Sequence, residues 1–317
     1  MVRIEANTGS PLPTRRTPDR EGLFFSGGID AFATLRANRL NYPDTHPGFI
    51  RDGILVFGLE MDDSEKFKHV LEFYGGVAQE AELNLIPVYT NVYLVYRAED
   101  ERNDFRFWGD HFQGAAFASI AHALANRYTS VSISASDAIP DLTLMKRVNL
   151  WPYGSHPLLD PQYGSSDLRI RHEGIAWSRL DKTRLVAGWD VALQNLRVCN
   201  QFRRYERGEL NCGRCEKCVR TMLGLEALGL LERTSVFPVN RLSAELVKSA
   251  GSLSDNPEGS YMELVEPLRK KGRDDLVEAI EQKLAGQRGL ARRGFMKVLS
   301  EFDKKYLGGT LRSLKKP

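Results

Sequence analysis

All four cysteines of this 317-residue chain lie between Cys199 and Cys218. Cys212-Gly-Arg-Cys215-Glu-Lys-Cys218 makes two overlapping Cys-X-X-Cys steps, which let neighbouring thiolates close on one ion, and Cys199 supplies a fourth ligand. A closed set of four thiolates suits structural zinc. A cubane iron–sulfur cluster takes the same number of cysteines, and spacing alone does not separate the two. In a reducing compartment such a cluster is a metal site rather than a disulfide framework.

A second constellation sits near the other end, at Phe24-Phe25-Ser26-Gly27-Gly28-Ile29-Asp30-Ala31. Two glycines between an apolar strand and a helix start let backbone amides approach an anion, as a phosphate cradle requires. The competing reading is an ordinary strand-to-helix turn with Asp30 as the helix cap. No Gly-Lys-Ser or Gly-Lys-Thr follows, which excludes a Walker loop.

Ser26-Gly-Gly-Ile-Asp30 resembles the Ser-Gly-Gly-X-Asp-Ser loop of the PP-loop ATP pyrophosphatases, with Ala31 in place of the second serine. Combined with the distal cysteine and the Cys-Gly-X-Cys-X-X-Cys knuckle, the likeness narrows to the 7-cyano-7-deazaguanine synthases. Ile175-Ala-Trp-Ser-Arg179-Leu-Asp-Lys182 falls where that family carries a Leu-Thr-Lys-like segment before its first cysteine. The resemblance spans roughly residues 22–222. It implies an open parallel sheet with helices on both faces, of the adenine nucleotide alpha-hydrolase type. It also implies ATP and Mg2+, with adenylation of a substrate carboxylate or carbonyl oxygen, release of AMP and pyrophosphate, and attack by ammonia or an amine. The product would be an amide or nitrile on a small or 7-deazapurine-like substrate.

The residues carried over are Ser26, Gly27, Gly28, Asp30, Asp62 and Gly114 for the nucleotide, and Asp30 and Lys182 for catalysis. Asp137, Asp160 and Arg179 are the candidate substrate contacts. His156, held between Ser155 and Pro157 in a turn rich in Pro, Gly and aromatics, is read as acid, base or substrate contact, with a structural role as the alternative. For Lys182 the alternative is a solvent-facing helix start, and for Asp137 and Asp160 a cap. Gly114-Ala115-Ala116 departs from the family's Gly-Arg-Asn and removes two polar pocket contacts. Because the knuckle uses every cysteine, none is left to carry a persulfide, which favours a nitrogen nucleophile over protein-borne sulfur. Thiolation of tRNA or a nucleoside, and non-catalytic nucleotide binding, are the competing functions. Replacement of Asp30 by alanine is expected to spare the fold.

These groups need a scaffold. Buried apolar runs at 22–26, 53–61, 83–91 and 129–136 read as parallel strands, with helices at 30–40, 64–82, 112–126 and 182–195. The functional crevice of such a sheet lies beyond the carboxyl ends of its strands, at Gly27 to Asp30, Asp62 and Asp63, Asn91 to Tyr93, and Asp137. The chain divides into a basic leader (1–20), the nucleotide domain (21–198), the cysteine segment (199–232) and a helical extension (233–317). Composition places it among soluble proteins, with 27 % charged residues, no apolar run long enough to span a membrane and no secretory signal, so a cytoplasmic location is expected. A net charge of +3 does not by itself imply nucleic acid, although nine Lys or Arg between Arg288 and Lys316 offer an anionic or nucleic-acid partner a surface. A small-molecule substrate and a homodimer complete the expected partners.

Overall fold

The computed structural model describes residues 20–59, 61–103, 107–138, 154–199, 201, 209–239, 241–251 and 258–286. The basic leader up to residue 19 and the basic tail from 287 lie outside the described residues. Five strands, β1 (Glu21–Phe24), β2 (Ile50–Phe57), β3 (Asn84–Tyr89), β4 (Ser130–Ser134) and β5 (Arg169–Glu173), form one all-parallel sheet in the order β3-β2-β1-β4-β5. The first four agree with the sequence reading to within a few residues. β5, Arg-Ile-Arg-His-Glu, was not anticipated, because an edge strand with four polar residues gives no apolar run.

Helices α1 (Ile29–Asn41), α2 (Ser64–Glu80), α3 (Val92–Asn103) and α4 (Gln113–Ala123) alternate with the strands, and a π-turn at Trp108–Phe112 leads into α4. Next come α5 (Arg179–Ala187), α6 (Asp190–Leu193), α7 (Glu216–Leu228), α8 (Ala244–Ser249), α9 (Glu258–Lys270) and α10 over 274–286. The predicted helix at 182–195 is α5 and α6, separated at Gly188-Trp189; α3 was not foreseen. Among the described residues no helix is long and apolar enough to cross a membrane.

Strand alternation sorts the apolar side chains into two layers. Leu23, Phe25 and Leu55 face α1 and α2, in a cluster that continues through Cys218 and Met222 to Leu268 and Ile280. Phe24, Ile54 and Ile133 face α4 on the other side. The cysteine segment and the described part of the helical extension therefore share one apolar core with the sheet.

The amino-terminal edge of the sheet is tied by one carboxylate. Asp52 is fully buried and accepts from Arg20 Nε (2.8 Å), Arg127 Nε (2.7 Å) and Asn84 Nδ2 (3.0 Å), groups that flank β1, β4 and β3. Burial pushes this carboxyl up, but the hydrogen bonds from Arg20, Arg127 and Asn84 outweigh it and hold it down at about 2. A depressed carboxyl stabilises the fold above its unfolded value of 3.8 and loses that contribution as pH falls toward 2. Asp52→Asn should therefore cost about 2 kcal/mol near neutral pH, a figure reduced for solvent screening of the arginines, and the gap to wild type should close between pH 4 and 2. Urea unfolding of both proteins across that range checks it; a gap independent of pH would contradict the assignment.

Candidate functional site

The strand order reverses between β1 and β4, and a crevice outside the carboxyl ends of the strands is expected at that point. A cavity of about 240 Å³ lies there. Ser26, Asp30 and Ala31 reach it from the β1–α1 turn, Ser136 and Asp137 from the end of β4, and His172 from β5. Phe24, Phe117 and Trp108 supply an aromatic wall, and Arg197 and Lys217 a cationic rim.

The β1–α1 turn has the backbone its glycines suggest. Gly27 sits at φ +76°, and a Cβ there would run into the hydroxyl of Tyr74, which donates to Asn195 O at 2.8 Å. Gly27 is thus required by both conformation and close approach. Gly28 is the N-cap of α1, and no side chain caps that end. The helix opens on the cavity with the partial positive charge of its amino end uncompensated by a cap. The cap reading of Asp30 does not hold: it lies inside the first turn, and its carboxylate takes Arg179 Nη1 at 2.8 Å and Lys182 Nζ at 3.4 Å, both on Oδ1. Burial pushes the Asp30 carboxyl up, but the charges of Arg179 and Lys182 prevail and hold it below the usual carboxylate range.

Those two cations are placed by α5. Ser178 caps it and exchanges hydrogen bonds with Asp181 in a capping box, fixing where the helix starts. Arg179 and Lys182, three residues apart, then share a face. Lys182 is 1 % exposed rather than facing solvent, and its ammonium donates to Ala135 O (2.6 Å) and Ser136 O (3.4 Å) besides pairing with Asp30. Burial pulls the Lys182 ammonium below its ordinary value. Arg179 also donates to Ser136 O at 2.8 Å. Both cations stand behind Asp30, outside the cavity lining.

The remaining predicted residues separate. Asp137 lines the cavity. Asp62 pairs with Arg97 and Asp63 caps α2, away from the lining. Gly114 donates its amide to Gly154 O at 2.7 Å, and a Cβ there would strike Asp160, so this glycine serves packing of the 154–160 turn. Asp160 is fully buried and accepts from Ser155 Oγ (2.7 Å), the His156 amide (3.2 Å) and His172 Nδ1 (2.7 Å). His156 Nδ1 accepts from the Leu158 amide at 3.1 Å, shaping the turn. The histidine in the cavity is His172, which carried no signal beyond its residue type in a strand of hidden pattern.

Arg197 was also missed. Its amide donates to Gly27 O at 2.8 Å and its Nη1 to Ser26 O at 3.2 Å, binding the segment before Cys199 to the glycine turn. Cys199, Cys212, Cys215 and Cys218 do converge, with all four Sγ atoms within 4.8 Å of one another. Buried Asn211 braces them, accepting from the amides of Val198 (2.9 Å) and Cys199 (3.2 Å) and donating to Leu196 O (2.8 Å) and Val236 O (3.0 Å). Hydrogen bonding with Cys215 and Cys218 draws the Cys199 thiol below its usual value, while the same hydrogen bonding with Cys199 pushes Cys215 and Cys218 up. The cluster can hold a metal ion.

Comparison of the chain with protein-family models and with curated proteins finds no match in either.

The two glycines of the turn should respond differently to a methyl group. Gly27→Ala meets both the positive φ and Tyr74, and should cost more than about 2 kcal/mol. Gly28→Ala meets only Ser26 Oγ at 3.3 Å and Arg197 O at 3.7 Å, and should fold normally. Thermal melts of both variants check this, and equal losses would refute the distinction.

Proposed function

We propose that the chain is an ATP-dependent adenylating enzyme of the PP-loop pyrophosphatase type, on the adenine nucleotide alpha-hydrolase fold and most like the 7-cyano-7-deazaguanine synthases. The observation that carries the reading is the uncapped amino end of α1, opening beside Arg197 and Lys217 into a cavity at the reversal of strand order. Backbone amides and cations at such a place select a polyphosphate. The Lys217 ammonium makes no hydrogen bond or ion pair among the described residues, and Arg197 Nε is buried without a partner. The Lys217 ammonium is thus available to an anion. The cavity volume, about 240 Å³, is below the ~300–1,000 Å³ of sites that engulf a drug-sized ligand, so in this reading it receives one ring-sized group with the phosphates at its open side.

In this reading Ser26, the first amides of α1, Arg197 and Lys217 take the pyrophosphate end of ATP. Asp30, whose two cations occupy Oδ1, keeps Oδ2 for Mg2+, and Asp137 is the second carboxylate in reach of the cavity. Magnesium bound there would supply charge neutralisation to the phosphates. Arg179 and Lys182 hold Asp30 in place instead of meeting phosphate themselves. The substrate oxygen attacks the alpha phosphorus, pyrophosphate leaves, and a nitrogen nucleophile displaces AMP. Nitrogen is favoured over protein-borne sulfur because all four cysteines are gathered in one cluster.

For that cluster we propose one zinc ion. Four thiolates about 2.3 Å from a tetrahedral ion stand about 3.8 Å apart, and the Cys199–Cys215 and Cys212–Cys218 separations are 3.7 and 3.9 Å. A four-iron cluster would interpose its own atoms and spread the thiolates. Purified protein should contain one zinc per chain by elemental analysis, and Cys215→Ser should lose both metal and thermal stability. Iron with sulfide, or no metal, would overturn the assignment.

Incubation with ATP, Mg2+ and candidate carboxylic acids should release AMP and pyrophosphate; ADP and phosphate as main products would reject the reading. Asp30→Ala leaves Arg179 and Lys182 facing each other unpaired, so it should cost roughly 3 kcal/mol of stability, contrary to the sequence expectation. Asp30→Asn keeps the size while removing the charge. It should lower AMP formation by at least about 100-fold while ATP binding falls less. Wild-type AMP production by Asp30→Asn would remove Asp30 from the machinery.

A further inference from the structure

One wall of the cavity holds a group that the adenylation step does not use. His172, on β5, is only 6 % exposed and its Nδ1 lies 2.7 Å from Oδ2 of Asp160. Asp160 has no exposure, and it receives two further donors, Ser155 Oγ at 2.7 Å and the His156 amide at 3.2 Å. A carboxylate with three donors is an acceptor throughout, so the imidazole proton on this side belongs to Nδ1. Asp160 also packs against Gly114, in the first turn of α4, where a helix amino end favours negative charge. The bare nitrogen of the ring is then Nε2. It makes no hydrogen bond among the described residues, and the ring lines the cavity.

The neighbours on β5 do not compete. Arg171 pairs with Glu21 and Glu173, whereas Ile170, on the same side of the strand as His172, is in the α4 layer. The ionisable groups sharing the cavity with His172 are Asp30, Asp137, Arg197 and Lys217, and Asp160 stands behind the ring.

We infer that His172 is a catalytic base for the second half-reaction, taking a proton from the incoming nitrogen nucleophile while Asp160 positions the ring and steadies the imidazolium. This rests on the adenylation reading above. The nitrogen lone pair forms the C–N bond at the acyl carbon of the adenylate. The bond from that carbon to the phosphate oxygen breaks, and AMP leaves with its electron pair. The proton shed by nitrogen goes to His172 Nε2, giving an imidazolium whose Nδ1–H remains on Asp160. Orientation of an imidazole by a buried carboxylate is a general device for such a transfer. The class of ligand this end of the cavity takes is ammonia or a small primary amine.

The experiment uses the metal-loaded full chain, ATP, Mg2+ and a panel of aliphatic and heteroaromatic carboxylic acids, with either ammonium or hydroxylamine as nucleophile. Hydroxylamine is uncharged near neutral pH and captures acyl adenylates without a base. His172→Asn retains a donor to Asp160. It should lower ammonium-dependent amide formation on the order of 100-fold while hydroxamate formation, and the AMP released with hydroxylamine, stay within about threefold of wild type. Unchanged amide formation overturns the inference. So does an equal loss of amide and hydroxamate, which marks a structural role. Absence of AMP from wild type with every acid overturns the adenylation reading and this inference with it. Nitrogen NMR of histidine-labelled wild type gives a readout independent of turnover: at neutral pH His172 should carry its proton on Nδ1, and a proton on Nε2 alone would overturn the proposal.

Discussion

Asp30 is the carboxylate on which the site depends. It joins the first turn of α1 to α5 through Arg179 and Lys182, and those cations reach in turn to the carbonyls of Ala135 and Ser136 at the end of β4. Removing Lys182 from water carries a desolvation cost of several kcal/mol, tolerable only because its donors meet two carbonyls and a carboxylate. Beyond the point where the β1–β4 ladder ends, the first turn of α1 and the segment after β4 are therefore tied to each other through charge. A cavity between them keeps its shape without being filled.

The glycine turn is held from its other side by the chain leading to the cysteines. Arg197 donates to Ser26 and Gly27, Tyr74 passes over Gly27 to Asn195, and Asn211 fixes Cys199 two residues further on. Lys217, inside the second Cys-X-X-Cys step, reaches the same cavity. The cysteine cluster is thus adjacent to the cationic side of the cavity. A metal there would order the two cations that line the cavity, whereas Arg179 and Lys182 need no metal because α5 and its capping box place them.

How much of this could be read beforehand follows from the kind of signal each part leaves. β1 to β4 are apolar runs bounded by turns, and the cysteine spacing declares itself, so both were legible. β5 was not, because its only inward residues are Ile170 and His172 and the rest is charged. Missing β5 meant missing His172, and the turn at 154–160 then drew attention to His156, whose ring serves the turn itself. Lys182 and Asp30 were found by their motif, yet their relation was invisible: a residue 152 positions away cannot be read as a counter-ion from spacing. Arg197 and Asn211 left no pattern at all, since their work is to bind backbone carbonyls and amides.

The cavity has two chemically different ends, and the sheet sets the distance between them. β1 delivers the glycine turn, β4 lies beside it, and β5 delivers His172 one strand further out. Neighbouring strands stand about 4.8 Å apart, so a group bound over the end of β4 has the uncapped helix on one side and the imidazole on the other, each about one strand spacing away. Asp137 stands at that middle position. An acyl phosphate held there would present its phosphate to α1 and its carbonyl carbon toward His172. Parallel strands make this possible because all carboxyl ends point the same way; an antiparallel β5 would have carried His172 toward the opposite edge, where Asp52 does only structural work.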